Sequence, residues 1–113
     1  MILLNPESVT TATSTRNGQT TTTITDTLLV RYVELNLVSG DILAIIDRGT
    51  VVDGKFVANT DPLWVDVHAD GSFMSRDGAW SGTVISASSI VSGLKQAFDG
   101  FLLASGAVTG KIV

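Results

Sequence analysis

The spacing of apolar and polar positions divides this chain into stretches of different period. Residues 8–27 hold almost no apolar side chain and centre on Asn17-Gly18. Asn-Gly is the strongest short hairpin signal, because both central residues of a type I′ turn need positive φ. This turn pairs Arg16 with Gln19, Thr15 with Thr20, Thr13 with Thr22, and Thr11 with Ile24. The resulting ribbon is threonine and serine on both faces. Threonine is β-branched and suits a strand, but the ribbon has no apolar face to bury, and an isolated hairpin is marginal in water. It is expected to be either an assembly arm or a mobile terminus. Residues 1–7, with Pro6 opposing helix, read as a short lead segment.

From Thr27 the pattern reverses. Leu28–Val38 begins as a continuous apolar run and ends in alternation, with Val33, Leu35 and Leu37 on one face. Ser39-Gly40-Asp41 turns the chain, and Ile42–Ile46 reads as a buried strand. Asp53-Gly54 predicts a hairpin pairing Val52 with Lys55 and Val51 with Phe56. Asp70-Gly71 predicts another, joining Leu63–His68 to Ser72–Arg76. Asp77-Gly78 ends that strand, and Thr83–Ser86 reads as one more.

The period then becomes helical. Ile90, Val91, Leu94, Ala97, Phe98, Phe101 and Leu102 recur at 3.6-residue spacing and predict a helix over 89–104. Ser88 or Ser89 is the expected N-cap and Gly106 the stop. Gly93, Ala97, Gly100 and Ala104 form a small-residue strip beside the large apolar one. The expectation is that this helix packs on the protein's own sheet; a helix–helix contact between subunits is the alternative. Ala107–Val113 reads as a last strand. The fold class is mainly β (α+β): a small antiparallel sandwich or barrel with one late helix and a protruding N-terminal hairpin. Residues 1–27 form the arm and 28–113 the compact body.

Composition narrows the function classes. At 113 residues the chain makes one domain with a core. It has no cysteine, which excludes disulfides, thiolate metal sites and thiol chemistry. Seven Lys and Arg against eleven acids, a net charge of −4, give no electrostatic case for nucleic acid or an anionic membrane. Ten of the fourteen threonines fall within residues 10–27, so the compositional bias belongs to the hairpin. No secretory signal or 20-residue apolar span is visible, so the expected location is the cytoplasm, or outside it by a route the chain does not encode.

Candidate chemistry is sparse. Asp66-x-His68-x-Asp70-Gly71 with Asp77 imitates the spacing of a calcium loop, but His68 replaces an oxygen ligand and strand stands where a helix should enter. An Asp-Gly hairpin with solvated aspartates explains the same residues. His68 is the only histidine, too few for zinc, and no nucleophile elbow accompanies it, so a small hydrolase ranks last. Trp64 and Trp80 could stack on sugar rings, which makes a carbohydrate- or ligand-binding module the alternative class; with seven aromatics in all, both are expected in the core. Thr11, Thr13, Thr15, Thr20 and Thr22 locally match a water-ordering array, on one ribbon only. No cofactor is expected.

In layout the chain resembles small structural proteins of tailed-phage virions, such as capsid decoration, head–tail joining or tail proteins. The features are the extended polar segment Ser8–Asp26, the β body with its Asp53-Gly54 and Asp70-Gly71 turns, and the helix around Gly93–Ala104. The resemblance implies a non-enzymatic subunit whose partners are copies of itself or other virion proteins. The hairpin residues Thr11, Thr13, Thr15, Asn17, Gly18, Thr20, Thr22 and Ile24 are the expected assembly arm.

Overall fold

The computed structural model describes residues 1–84 and 87–112, with Ala87 as backbone only. Among the described residues, eight strands and one α-helix follow in order: β1 (Ile2–Leu3), β2 (Thr10–Arg16), β3 (Gln19–Thr25), β4 (Thr27–Leu35), β5 (Ile42–Val52), β6 (Lys55–Val67), β7 (Ser72–Ser75), β8 (Ser81–Thr83) and α1 (Ala87–Ala104); a short 3-10 turn, Pro6–Ser8, stands between β1 and β2 where Pro6 was expected to oppose helix, because a proline is tolerated in a first turn. Six strands make one antiparallel sheet, ordered β1-β4-β5-β6-β7-β8, which curls into a half-barrel; β2 and β3 pair only with each other. The mainly β class with one late helix is therefore borne out.

Register explains the core. Residues directly opposite in an antiparallel ladder share a face. One face collects Val33, Ala44, Val65 and Ser75 on one rung and Leu35, Ile42, Val67 and Phe73 on the next. Ile42, Leu63 and Val65 on this face are buried, although no second sheet covers it among the described residues. Curling covers the middle of this face, while Val33 on the same face stays 46% exposed. Register shifts fall between Val30 and Tyr32 on β4 and from Ile46 to Gly49 on β5, and such bulges bend and twist a sheet. Pro62, which cannot donate to a ladder, sits in the β6 segment skipped by the shift. The Asp61 carbonyl beside it accepts from Arg48 Nε at 2.9 Å and Nη2 at 2.7 Å.

Both two-residue hairpins take the expected register, with positive φ at Asn17 (53°), Gly18 (75°), Asp53 (52°) and Gly54 (76°). The Asp70-Gly71 connection is longer than the other two. Gly71 N donates to the His68 carbonyl and His68 N to the Ser72 carbonyl, a turn closed by a bulge.

Several expectations are corrected. The lead segment is not free: β1 pairs with β4, and Leu4 N donates to the Asp26 carbonyl. The strand expected at Thr83–Ser86 ends at Thr83, and residues 85 and 86 lie outside the described residues. Ser88 and Ser89, expected at the N-cap, lie within the bounds of α1. Residues 107–112 form no strand: Gly106, at φ 76°, turns the chain, and Val108–Ile112 lie along Asp99, Leu102 and Leu103. Val113 lies outside the described residues. Finally, α1 does not pack across the sheet: the two meet at a cleft lined by Leu35, Leu37, Leu94 and Phe98. Only Leu94 and Phe98 of the helix line that cleft, against Leu35 and Leu37.

Candidate functional site

The β2–β3 hairpin pairs with no other strand and stands apart from the six-stranded sheet. All seven residues of β2 are exposed, and the β3 residues from Gln19 to Thr22 are equally open. Thr15 and Thr20 share a hydroxyl hydrogen bond at 3.0 Å across one rung. Neither strand carries a bulge or a proline, and Arg16 at the tip is the only charge. Those are the devices by which edge strands normally block further pairing, and this ribbon lacks them along its length.

The root, by contrast, is fixed. Thr25 is buried, and its Oγ1 donates to Asn59 Oδ1 at 3.0 Å while lying 3.2 Å from Thr60 Oγ1. Asn59 Nδ2 donates to the Ile24 carbonyl at 2.8 Å, and Asp26 N donates to the Gly49 carbonyl at 3.0 Å. Gly49 is required there: a Cβ would collide with the Val57 carbonyl and lie 2.9 Å from Ala58 Cα. Thr27, fully buried, donates to Asp26 Oδ1 at 2.9 Å. The arm thus leaves the body from a satisfied polar joint, and its direction is set by the body.

No protein-family model, curated protein or solved structure matches this chain.

The calcium-loop residues are dispersed. Asp66 pairs with Arg76 Nε at 3.3 Å on the face of β6 opposite Val65 and Val67. Asp70 Oδ1 accepts from Ser72 Oγ at 2.6 Å and Ser72 N at 2.9 Å. Asp77, beyond the other end of β7, accepts from Ser75 Oγ at 2.6 Å and Ala79 N at 3.0 Å. Among the described residues no group of three or more acidic, His or Cys side chains is placed to hold a metal. The Ser72 hydroxyl pulls the Asp70 carboxyl below its ordinary range, and the Ser75 hydroxyl does the same for Asp77, each helped by a backbone N–H. These aspartates organise turns.

His68 is exposed, and its Nδ1 lies 3.6 Å from Asp41 of the β4–β5 turn rather than from Asp66 or Asp70. Trp64 and Trp80 are each 37% exposed, so neither is a core residue as expected. The face of Trp64 is occupied: the Arg76 guanidinium lies 4.7 Å from its centroid. A sugar ring would have to displace that cation before it could stack.

The small strip Gly93, Ala97, Gly100 and Ala104 runs along α1, and a Cβ at either glycine would meet nothing within 4 Å. Sequence reasoning missed Asn59, Thr60 and Gly49 at the arm root. Gly49 and Pro62 carried a signal, since each interrupts a strand pattern where a bulge or close approach belongs. Asn59 carried none.

Proposed function

We propose that the chain is a non-enzymatic structural subunit that oligomerises through its N-terminal arm and β body, set in a phage virion as a capsid decoration or cement, head–tail or tail protein. The observation that carries this reading is the rooted, unblocked polar hairpin standing off the body. Its two edges offer rows of backbone N–H and C=O groups to a neighbouring strand, the chemistry of β-strand addition. Threonines suit such an arm, because they pair well as strand yet do not drive collapse while unpaired.

The molecule's dimensions support the same reading. It measures 69 × 31 × 22 Å with a Cα radius of gyration of 19.1 Å, against ~13 Å for a compact chain of this length. Its accessible surface is 8168 Å², where a compact monomer of this mass exposes about 5,900 Å². The excess matches the area that permanent interfaces bury. The virion setting rests on the resemblance in layout.

The test shortens the arm without touching its root. Deleting residues 12–15 and 20–23 keeps the Asn17-Gly18 turn, the strand parity and the Thr25–Asn59 joint. Native mass spectrometry of the full chain should show an oligomer that the shortened chain fails to form while its tryptophan fluorescence stays native. An unchanged oligomer in the shortened chain would remove the arm from the proposal.

A further inference from the structure

Four turns of this chain place a glycine after Asn or Asp: Asn17-Gly18, Asp53-Gly54, Asp70-Gly71 and Asp77-Gly78; the fifth such pair, Asp99-Gly100, is inside α1. Such a pair has a chemistry of its own. The glycine nitrogen, with no Cβ beside it to hinder approach, can attack the preceding side-chain carbonyl carbon and close a five-membered ring. The fold occupies the groups needed at two of the four turns. Gly71 N donates to the His68 carbonyl and Gly78 N to the Ser75 carbonyl, while the Asp70 and Asp77 carboxylates accept from the Ser72 and Ser75 hydroxyls. In the two tight hairpins, neither Gly18 N nor Gly54 N has a hydrogen-bond partner among the described residues, and all four turn residues are exposed. Their side chains differ. Asp53 presents a carboxylate, which repels the attack and lacks a good leaving group, whereas Asn17 presents a neutral amide that can expel ammonia. The other asparagines are poorly placed for this reaction. Asn5 precedes Pro6, which has no N–H. Asn36 precedes Leu37, and its Oδ1 accepts from Val38 N and Ser39 N. Asn59 precedes Thr60 and is held by Thr25 Oγ1 and the Ile24 carbonyl.

We propose that Asn17 is a site of spontaneous modification, at which the side-chain amide converts to an isoaspartyl link and frees the arm from its register. The Gly18 nitrogen attacks Asn17 Cγ, the Cγ–Nδ2 bond breaks, and ammonia leaves with the Gly18 proton. Solvent water then opens the succinimide. Addition at Cγ leaves an ordinary aspartate; addition at the main-chain carbonyl carbon leaves the main chain running through Cγ. One water is consumed and one ammonia released, with no oxidant or reductant. The isoaspartyl product carries an extra methylene in the main chain between β2 and β3, which the turn built on Asn17 at φ 53° and Gly18 at 75° has no room for. A sheet with one buried apolar face keeps its register regardless, because a slip of one residue would expose that face. This ribbon has no such face: all seven residues of β2 are exposed, and threonines stand on both sides. The joint at Ile24 and Thr25 holds β3, whereas β2 pairs with β3 alone. The turn is therefore what keeps Thr15 opposite Thr20. Any effect of this change on oligomers rests on the assembly role proposed above; the chemistry and the loss of register do not.

Ageing the full chain in mildly alkaline buffer tests the chemistry. Peptide mapping by mass spectrometry should place a gain of about 1 Da, mostly as isoaspartate, at Asn17 roughly ten-fold faster than at Asn36 or Asn59. Equal rates at the three positions, or no gain at Asn17, would overturn the assignment. The Asn17→Gly chain keeps a turn of positive φ and should gain nothing in the same peptide; a gain there would place the reaction on another residue. The structural consequence has its own measurement. Nuclear Overhauser contacts across the Thr15–Thr20 rung should disappear in the isoaspartyl chain and persist in the fresh Asn17→Asp chain, which carries the charge without the added methylene. Contacts retained by the isoaspartyl chain would overturn the loss of register. Neither measurement needs an oligomer, so both stay readable if the arm has no part in assembly.

Discussion

Asp77 shows how much a single turn residue settles in this fold. Its carboxylate accepts from the Ser75 hydroxyl and the Ala79 N–H, and its pKa lies below the ordinary value for that reason. A depressed folded-state pKa adds stability that is fully present above the unfolded value of about 3.9 and is lost as pH falls through the lowered folded value. Asp70 follows the same sign through Ser72. In thermal unfolding from pH 7 to pH 2, Asp77→Asn should therefore lower the melting temperature most above about pH 5, with the gap closing towards pH 2. A gap that widened on acidification would reject the assignment. Gly49 is the other decisive residue. Gly49→Ala drives a methyl into the Val57 carbonyl on the neighbouring strand and should destabilise the chain by about 3 kcal/mol, read from urea unfolding followed by tryptophan fluorescence.

At the level of elements, the hairpin and the helix are opposites in what fixes them. The hairpin's register was legible from Asn17-Gly18 alone, because two residues with positive φ leave one way to pair the flanks. Its attachment was not legible, since Asn59 is thirty-four residues from Thr25 and bears no local mark. Asn59→Ala removes the donor to the Ile24 carbonyl and the acceptor of Thr25, and should cost about 1–3 kcal/mol at the joint. Amide exchange should accelerate at Ile24 and Thr25 and through the arm, with the β5–β6 ladder unchanged; uniform acceleration would mean that the joint is no separate unit. The helix was legible as an element, from its period and from Gly106, but not in its packing. Gly93→Ala and Gly100→Ala meet no obstacle within the chain, so in dilute monomer each should raise helix content by the equivalent of about 1 kcal/mol of propensity. Circular dichroism at low concentration reads this directly.

For the whole molecule, shape is the test. Dilute monomer should scatter X-rays as an elongated particle near the 19.1 Å radius of gyration rather than at ~13 Å, with the value rising as concentration brings copies together. A concentration-independent radius near 13 Å would show that arm and helix fold back on the body. They have little reason to do so: the body's buried apolar side chains are few (Leu28, Ile42, Ile45, Leu63 and Val65), and the sheet encloses them by bending. Among the described residues, parts of the helix and the ribbon edges are thus left uncovered by the body.

Local chemistry settled what could be read before any coordinates. Turn dipeptides fixed the hairpins, alternation fixed the β class, and the 3.6-residue period fixed one helix, because each depends only on backbone preferences within a few residues. Three things depended on contacts distant in sequence. Bulges around Arg31, Asp47 and Pro62 lie on adjacent strands, and only their alignment in one sheet curls it into a half-barrel. The helix, expected on that sheet, meets it only at Leu35 and Leu37. The tail, which reads as strand, lies beside α1 because Gly106 points it there. The sequence by itself determined the parts and their local pairing; the tertiary structure decided which apolar surfaces were already satisfied and which were left open, since burial is a property of the whole packed chain.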